Sequence, residues 1–356
     1  KAAMRDNPEG WMPAEQDELD NHRSNRSWVE IDRSAMPRGR RLVNFTWVYK
    51  VKRSGKLKAR LCVQGCSQVP GVDFDQTHCA TMRAGSLRAL AAIAARDNLL
   101  MRRWDFVAAY LQGSLLEDEV VYCRLPPGVH SVGKDGKPRV CRVEKPVYGM
   151  AQAGRRWQRT IFPWLKSYGL VPCHGDPCVF TMEKEMQTPD GPRKERLFIG
   201  VYVDDMFVLS SHDDEHSLYH HFTAKLQDSW DVEDEGPVSD LLNVEIERVG
   251  DCVILKQAAY IKKLVANYLT DGVVPPSHQA SKTPADDSLT QLVADALCQD
   301  AADIDPVLLK KYQSLVGALL YCAVHTRPDV AVSVGYLCRA MGKPRPELYE
   351  AAQRVL

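Results

Sequence analysis

Residues Leu197–Ser211 read LFIGVYVDDMFVLSS. Two adjacent aspartates, Asp204 and Asp205, sit in an otherwise apolar run. Ile199, Val201 and Val203 precede them at a spacing of two, and Phe207, Val208 and Leu209 follow. Both arms have strand character, so the pattern predicts a β-hairpin with the aspartates at its turn. Aspartate is a common turn residue, and by itself that explains one of them. Two carboxylates side by side raise each other's pKa and are poorly tolerated without a cation. A hard divalent cation such as Mg2+ makes a binding site of the same cluster. Two-metal phosphoryl transfer needs such a cluster, with its ions about 3.5–4 Å apart and a third acid from elsewhere in the chain.

A third acid is available. Asp105 lies in MRRWDFVAAYLQG (101–113), flanked by Trp104, Phe106 and Val107. It reads either as a strand-end carboxylate paired with Arg102 or Arg103, or as a metal ligand on a strand beside the hairpin.

The rest of the chain sets the frame. Its 356 residues are 45% hydrophobic and 26% charged, which excludes general disorder and allows two or three domains or one large multi-part enzyme. Lys plus Arg equals Asp plus Glu at 46 each, so any nucleic-acid contact must be local. Charge is uneven. Arg38 to Arg60 holds nine Lys/Arg and no acid, and Asp228 to Asp240 holds six acids and no base. Either run reads by default as a solvated face. The eleven cysteines form no framework, which points to a reducing compartment and buried thiols rather than structural zinc. No apolar run is read as long enough to span a membrane. The chain starts at Lys1 and stops at Leu356 inside a helical pattern, which reads as a segment of a longer polypeptide.

Along the chain, residues 11–30 read as an amphipathic helix around Trp11, Leu19 and Trp28. Phe45–Gly65 reads as a hairpin turning at Ser54-Gly55. LRALAAIAARDN reads as a helix behind a Ser86 cap. Residues 126–138 read as loop and 155–168 as a helix that Pro163 bends or restarts. The polar stretch 183–196 reads as a hairpin tip. A helix over 213–228 has an acidic first turn, as the helix dipole favours. Residues 270–305 read as a linker, and helices close the chain over 306–325, 328–342 and 346–356. The mixture is α+β without regular βαβ alternation.

These words in this order resemble the reverse transcriptase region of copia-type LTR retrotransposon Pol polyproteins. The resemblance runs through WMPAEQDELDNHRSNRSWVEID (11–32), WVYKVKRSGKLKARLCVQGCSQVPGVDFDQT (47–77), WDFVAAYLQGSLLEDEVVYCRLPPG (104–128), VYGMAQAGRRW (147–157) and DPCVF (176–180). It continues through YVDDM (202–206), LLNVEIE (241–247), LKQAAYIKKLV (255–265) and YQSLVGALLYCAVHTRPDVAVSVGYLCR (312–339). It covers nearly the whole chain.

The resemblance implies a right-hand polymerase fold of fingers, palm and thumb, with the YVDD β-hairpin in the palm. Residues 1–30 would be a helical lead-in and 31–245 the fingers and palm. Within these, the fingers take about 31–100 and part of 120–190, and the palm about 101–119 and 191–245. Residues 246–356 would be thumb and the start of a connection, cut before ribonuclease H.

By the same resemblance, Asp105, Asp204 and Asp205 are the catalytic carboxylates, and with the Phe106 carbonyl they hold two Mg2+ ions, for which Mn2+ could substitute. Lys58 and Arg60 meet the nucleotide triphosphate. Tyr110 packs under the sugar, and Tyr148 and Gln152 lie by the nucleotide pocket. Lys50, Lys52, Arg53 and Lys56 face nucleic acid. Implied partners are an RNA template, a DNA primer–template, dNTPs, and a parent polyprotein with protease, integrase and ribonuclease H, but no membrane. The implied setting is a cytoplasmic virus-like particle whose product is delivered to the nucleus.

The chain also departs from the family. Val107 and Ala108 stand where Lys and Thr are usual. Ala151 and Gly154 stand for Lys and Pro, and Leu242-Asn243 stands for Leu-Gly in the strand expected to grip the primer end. Two further readings therefore stay open: an inactive nucleic-acid-binding remnant, and a two-metal nuclease built on the same carboxylates.

Overall fold

The structure is a computed structural model that describes residues 7–51, 55–269, 283–300 and 304–356. The chain forms two compact units. One comprises Lys1–Ser86 with Leu99–Gly236, the other Leu87–Asn98 with Pro237–Leu356.

In the first unit, helix α1 (Pro8–Ser24) is followed by strands β1 (Trp28–Ile31), β2 (Leu42–Val43), β3 (Phe45–Val51) and β4 (Leu57–Val63). The sequence expectation of a helix over 11–30 therefore ends too late. Trp28 opens a strand because it pairs with Val143 and packs on Phe45. Helix α2 (Ala84–Arg96) carries the chain into the second unit. Strand β5 (Leu100–Phe106), helix α3 (Ala109–Gln112), β6 (Val121–Arg124), β7 (Val140–Val143) and helix α4 (Ala153–Tyr168) come next. Pro163 does not restart the helix, since α4 runs unbroken from Ala153 to Tyr168. Trp157, Ile161 and Leu165 are buried on one face of a single helix, and Pro163 sits on its exposed side, where water can serve the carbonyl it leaves unpaired.

Strands β8 (Val171–Pro172), β9 (Val179–Thr188), β10 (Gly191–Tyr202) and β11 (Asp205–Ser210) lead to helix α5 (Leu218–Ser229) and strand β12 (Val232–Pro237). Helix α5 starts later than its acidic lead predicts. Ser217 caps it, accepting from the His220 amide at 3.1 Å. Asp214 instead accepts from the His216 amide at 3.0 Å, a local turn that competes with helix.

The main sheet of this unit has the order β12-β5-β11-β10-β9-β8. One face packs on α4 and α5 through Trp104, Phe106, Trp157, Ile161, Phe180, Ile199, Met206, Val208 and Phe222. A second sheet, β1-β7-β6-β2, and the β3-β4 ribbon enclose a smaller core with Val43, Phe45, Leu61, Val121 and Val143. Helix α1 lies along the ribbon. Trp11 packs edge-on to Tyr49, with ring centroids 5.0 Å apart, and the Leu61 amide donates to Glu18 at 3.0 Å. The ribbon's other end is clasped by two glycines. A Cβ on Gly65 would lie 2.1 Å from the Gly149 carbonyl oxygen, and one on Gly149 would lie 2.2 Å from that of Val63. The Val63 amide donates to the Tyr148 carbonyl across this contact at 2.7 Å.

In the second unit, β13 (Asp240–Leu241), β14 (Val244–Val249) and β15 (Cys252–Lys256) form an antiparallel sheet. Leu242 and Asn243, at the first turn, both have positive φ, 54° and 58°. Helices α6 (Ala258–Tyr268), α7 (Leu289–Leu297), α8 (Pro306–His325), α9 (Ala331–Arg339) and α10 (Pro346–Val355) follow. Helix α7 corrects the linker expectation for 270–305. Leu289, Val293 and Ala296 form a buried helical stripe inside that polar stretch. Residues 270–282 and 301–303 of the expected linker lie outside the described residues. Helix α8 corrects another expectation. By length and composition it could cross a membrane, with a mean hydropathy of 1.3. It is, however, the central core helix of this unit, burying Tyr312, Leu315, Val316 and Leu319.

Candidate functional site

Strand register builds the site. Tyr202 pairs with Asp205 across the β10–β11 hairpin, leaving Val203 and Asp204 as its turn. Asp205 also pairs with Asp105 on β5, so the two carboxylates leave the sheet on the same face. The Phe106 amide donates to the Asp204 carbonyl at 3.1 Å and ties the turn to β5. Val203 has φ 59°, a conformation unfavourable for a β-branched residue. Its carbonyl accepts the Trp157 indole N–H at 2.7 Å. The core tryptophan of α4 thus fixes a strained turn that presents Asp204.

The electrostatics reflect crowding. Burial, followed by the charges of Asp204, Asp205 and Glu235, pushes the Asp105 carboxyl up to about 7, with Lys58 opposing. Burial likewise raises Asp205, partly offset by Arg103. Arg103 donates to Asp205 Oδ1 through Nη2 at 2.7 Å and through Nε at 3.0 Å, and lies 3.1 Å from Glu235 Oε2. Among the described residues no group of three His, Cys, Asp or Glu side chains is gathered as a metal would hold it. The donor set nonetheless suits a hard divalent cation. It is all carboxylate oxygen, and a cation would offset the burial and the acidic crowding that raise the Asp105 carboxyl.

A cavity of about 280 Å³ opens over this face. It is lined by Asp105, Phe106 and Asp204 on one side and by Lys56, Lys58, Arg60 and Tyr148 on the other. The Arg60 guanidinium stacks over the Tyr148 ring, 4.8 Å from its centroid, and Tyr148 packs on Tyr110 at 4.6 Å. Burial and Asp204 push the Tyr110 hydroxyl up to about 12, so it stays a neutral donor. Lys50 lies directly across the ribbon from Lys58, a like-charge pair that costs stability and gathers positive charge.

The structure thus brings together Asp105, Phe106, Asp204, Asp205, Lys50, Lys56, Lys58, Arg60, Tyr110 and Tyr148. It does not bring Gln152 to the cavity. That side chain is fully buried, accepting from Gln68 at 3.1 Å and donating to the Asp73 carbonyl at 3.1 Å. Lys52 and Arg53 lie outside the described residues. Arg102 and Arg103 pair with the acidic edge strand β12 and with the hairpin side of the sheet, Arg102 reaching Asp234 at 2.7 Å. Arg103, offered by the sequence as a partner for Asp105, holds Asp205. Sequence reasoning missed Glu235 beside Arg103, and Glu233, Asp17 and Glu18 on the cavity. The alternation of Glu233, Asp234 and Glu235 in the acidic run was the available signal.

Residues 26–275 match the family described as reverse transcriptase (RNA-dependent DNA polymerase). The chain is 29% identical over 353 residues to the Retrovirus-related Pol polyprotein from transposon TNT 1-94 of Nicotiana tabacum, covering 97% of this chain and 25% of that one. It is 29% identical over 361 residues to the Retrovirus-related Pol polyprotein from transposon RE1 of Arabidopsis thaliana, covering 99% and 22%. The chain therefore spans about a quarter of the length of these relatives. Among solved structures, the foamy viral protease–reverse transcriptase in complex with double-stranded DNA matches with a TM-score of 0.37 at 12% identity, over 72% of this chain and 37% of that one.

Proposed function

The chain belongs to the reverse transcriptase (RNA-dependent DNA polymerase) family, in its copia-type retrotransposon branch, and has that family's right-hand polymerase fold; from this premise we propose that it is an RNA- and DNA-templated DNA polymerase. One observation carries the reading. Asp105 and Asp205 are cross-strand partners beside Asp204, and Asp105 and Asp204 line a cavity that Lys58, Arg60 and Tyr148 also line.

In this reading the 197–211 hairpin and Asp105 form the palm, the β3-β4 ribbon belongs to the fingers, and the helices after about residue 246 form the thumb. Asp105, Asp204 and Asp205 would hold two Mg2+ ions, which would supply activation of the primer 3′-hydroxyl and charge neutralisation at the leaving pyrophosphate. Lys58 and Arg60 bind and orient the triphosphate. Tyr148, held flat by Arg60, and Tyr110 form an aromatic floor under the sugar and base. Lys50 and Lys56 contact template or primer phosphates. The substrates are dNTPs and the partners an RNA or DNA template with its primer. The protease, integrase and ribonuclease H of the parent polyprotein complete the set.

A second reading, a nucleic-acid-binding protein that no longer polymerises, draws on the hold of Arg103 on Asp205. Primer extension on poly(rA)/oligo(dT) with dTTP and Mg2+ separates the two. Extension by the parent chain and none by Asp204→Asn is expected. Template binding by a folded parent without extension would leave the second reading standing.

A further inference from the structure

Beyond the proposed polymerisation, though resting on its metal-site reading, we propose that Arg103 is a positioning residue: its guanidinium holds Asp205 in the metal-free chain and transfers to Glu235 when a divalent cation enters the cluster.

The topology makes this handover local. Strand β5 lies between β12 and β11. Arg103 is two residues before Asp105 and shares its face, so it is the diagonal neighbour of Asp205 on one side. On the other side it reaches Glu235 of β12 at 3.1 Å. A planar guanidinium has donors enough for both carboxylates and can move from one to the other by side-chain rotation alone. In the metal-free chain it spans both: Nη2 and Nε lie 2.7 and 3.0 Å from Asp205 Oδ1, and Nε lies 3.1 Å from Glu235 Oε2. All three side chains are partly exposed, at 23% for Arg103, 18% for Asp205 and 38% for Glu235, so none must be dragged through a packed core.

Arg102 provides an internal contrast. It pairs with Asp234 at 2.7 Å and lies 3.7 Å from Asp213, on the opposite face of β5, where none of the three aspartates stands. The doublet Arg102-Arg103 and the triplet Glu233-Asp234-Glu235 thus form two similar ties between the same two strands. Only the tie on the catalytic face includes a carboxylate that the cation needs. That tie therefore sets how readily the cation binds.

The test is a Mn2+ titration of the full chain, followed by electron paramagnetic resonance of the free ion and by calorimetry. The parent, Arg103→Gln, Glu235→Gln and the double variant are compared, with Asp234→Asn as the back-face control. Freeing Asp205 in Arg103→Gln should tighten Mn2+ several-fold. Removing the alternative partner in Glu235→Gln should weaken it several-fold. In the Arg103→Gln background the Glu235→Gln change should shrink to within twofold, because no guanidinium remains to be handed over. Asp234→Asn should leave affinity within twofold of the parent.

Equal weakening by Glu235→Gln in both backgrounds would overturn the proposal, since Glu235 would then act through its charge alone. If Arg103→Gln fails to fold, Arg103→Lys carries the test. It keeps the charge without the fork, so a single ammonium must choose between the carboxylates, and the Glu235→Gln effect should persist but shrink relative to the parent. Mn2+ binding by the parent that Asp204→Asn abolishes, but without coupling, would sink the handover and spare the metal-site reading. No Mn2+ binding by the parent would sink both.

Discussion

Asp105 and Asp205 are direct cross-strand partners, and burial together with its acidic neighbours lifts the Asp105 carboxyl to about 7. The metal-free fold therefore holds a proton that the unfolded chain releases near 3.8. Where the folded state binds more protons, stability falls as pH rises. Metal-free stability should decline between about pH 4 and about pH 7 and level off above. Asp105→Asn should flatten that slope and raise the melting temperature at pH 8. Thermal melts across this range with EDTA present check both, and an unchanged slope would count against the crowding.

The Trp157 indole N–H is the donor seen on the strained Val203 carbonyl. Trp157→Phe keeps a large ring in the core and deletes that bond. It should cost about 1–3 kcal/mol in denaturant unfolding. Extension rate should fall further than template affinity, because the turn presenting Asp204 loosens. A rate and an affinity that fall together would argue for a general packing defect instead.

Lys50 faces Lys58 across the ribbon. Relieving that repulsion, Lys50→Ala should gain a few tenths of a kcal/mol in stability. If Lys50 contacts a phosphate, the same change should weaken template binding and lower the slope of log affinity against log salt by about 1. Fluorescence anisotropy across a salt series reads the second effect, and an unchanged slope would remove Lys50 from the nucleic-acid surface.

Gln152 is tied between Gln68 and Asp73 rather than turned to the cavity. Gln152→Ala should therefore act on stability, by about 1–3 kcal/mol, with little change in KM for dTTP. A large rise in KM with stability intact would restore the nucleotide-binding role that the family resemblance implies.

Asn243 stands where the family resemblance implies glycine, and its φ of 58° is one that asparagine accommodates. Asparagine tolerates the left-handed region better than other residues with a side chain. Asn243→Gly should change stability by less than about 0.5 kcal/mol, whereas Asn243→Val should cost about 1–2 kcal/mol. Unfolding curves of the two variants decide whether the departure is conformationally silent.

The hairpin and Asp105 were legible in the sequence because strands alternate with a period of two and because clustered carboxylates are costly without a purpose. The cationic run by itself read as a solvated face, and only the family resemblance gave it a nucleic-acid role. The burial of Gln152 was not legible, since its partner Gln68 is 84 residues away and nothing local marks either as interior. The tie from Arg103 to Glu235 depends on β12 landing beside β5, a strand order that no local pattern encodes. Helix α7 was hidden because its apolar stripe is short and set among Asp, Ser and Pro. The start of α5 was misplaced because Asp214 favours a turn over the helix its charge would suit.

The clasp of Gly65 and Gly149 leaves no room for even one added methyl group on either backbone. Among the described glycines, these two are consequently the least forgiving. A methylene lost from the core can be partly absorbed by relaxation, but here any other residue must push a strand and a turn apart. Such a change would separate Arg60 from Tyr148 while leaving all three aspartates spelled correctly. In a lineage of copies drifting without selection, an intact YVDD is thus a weak certificate of a working site, and an intact glycine pair is a stronger one.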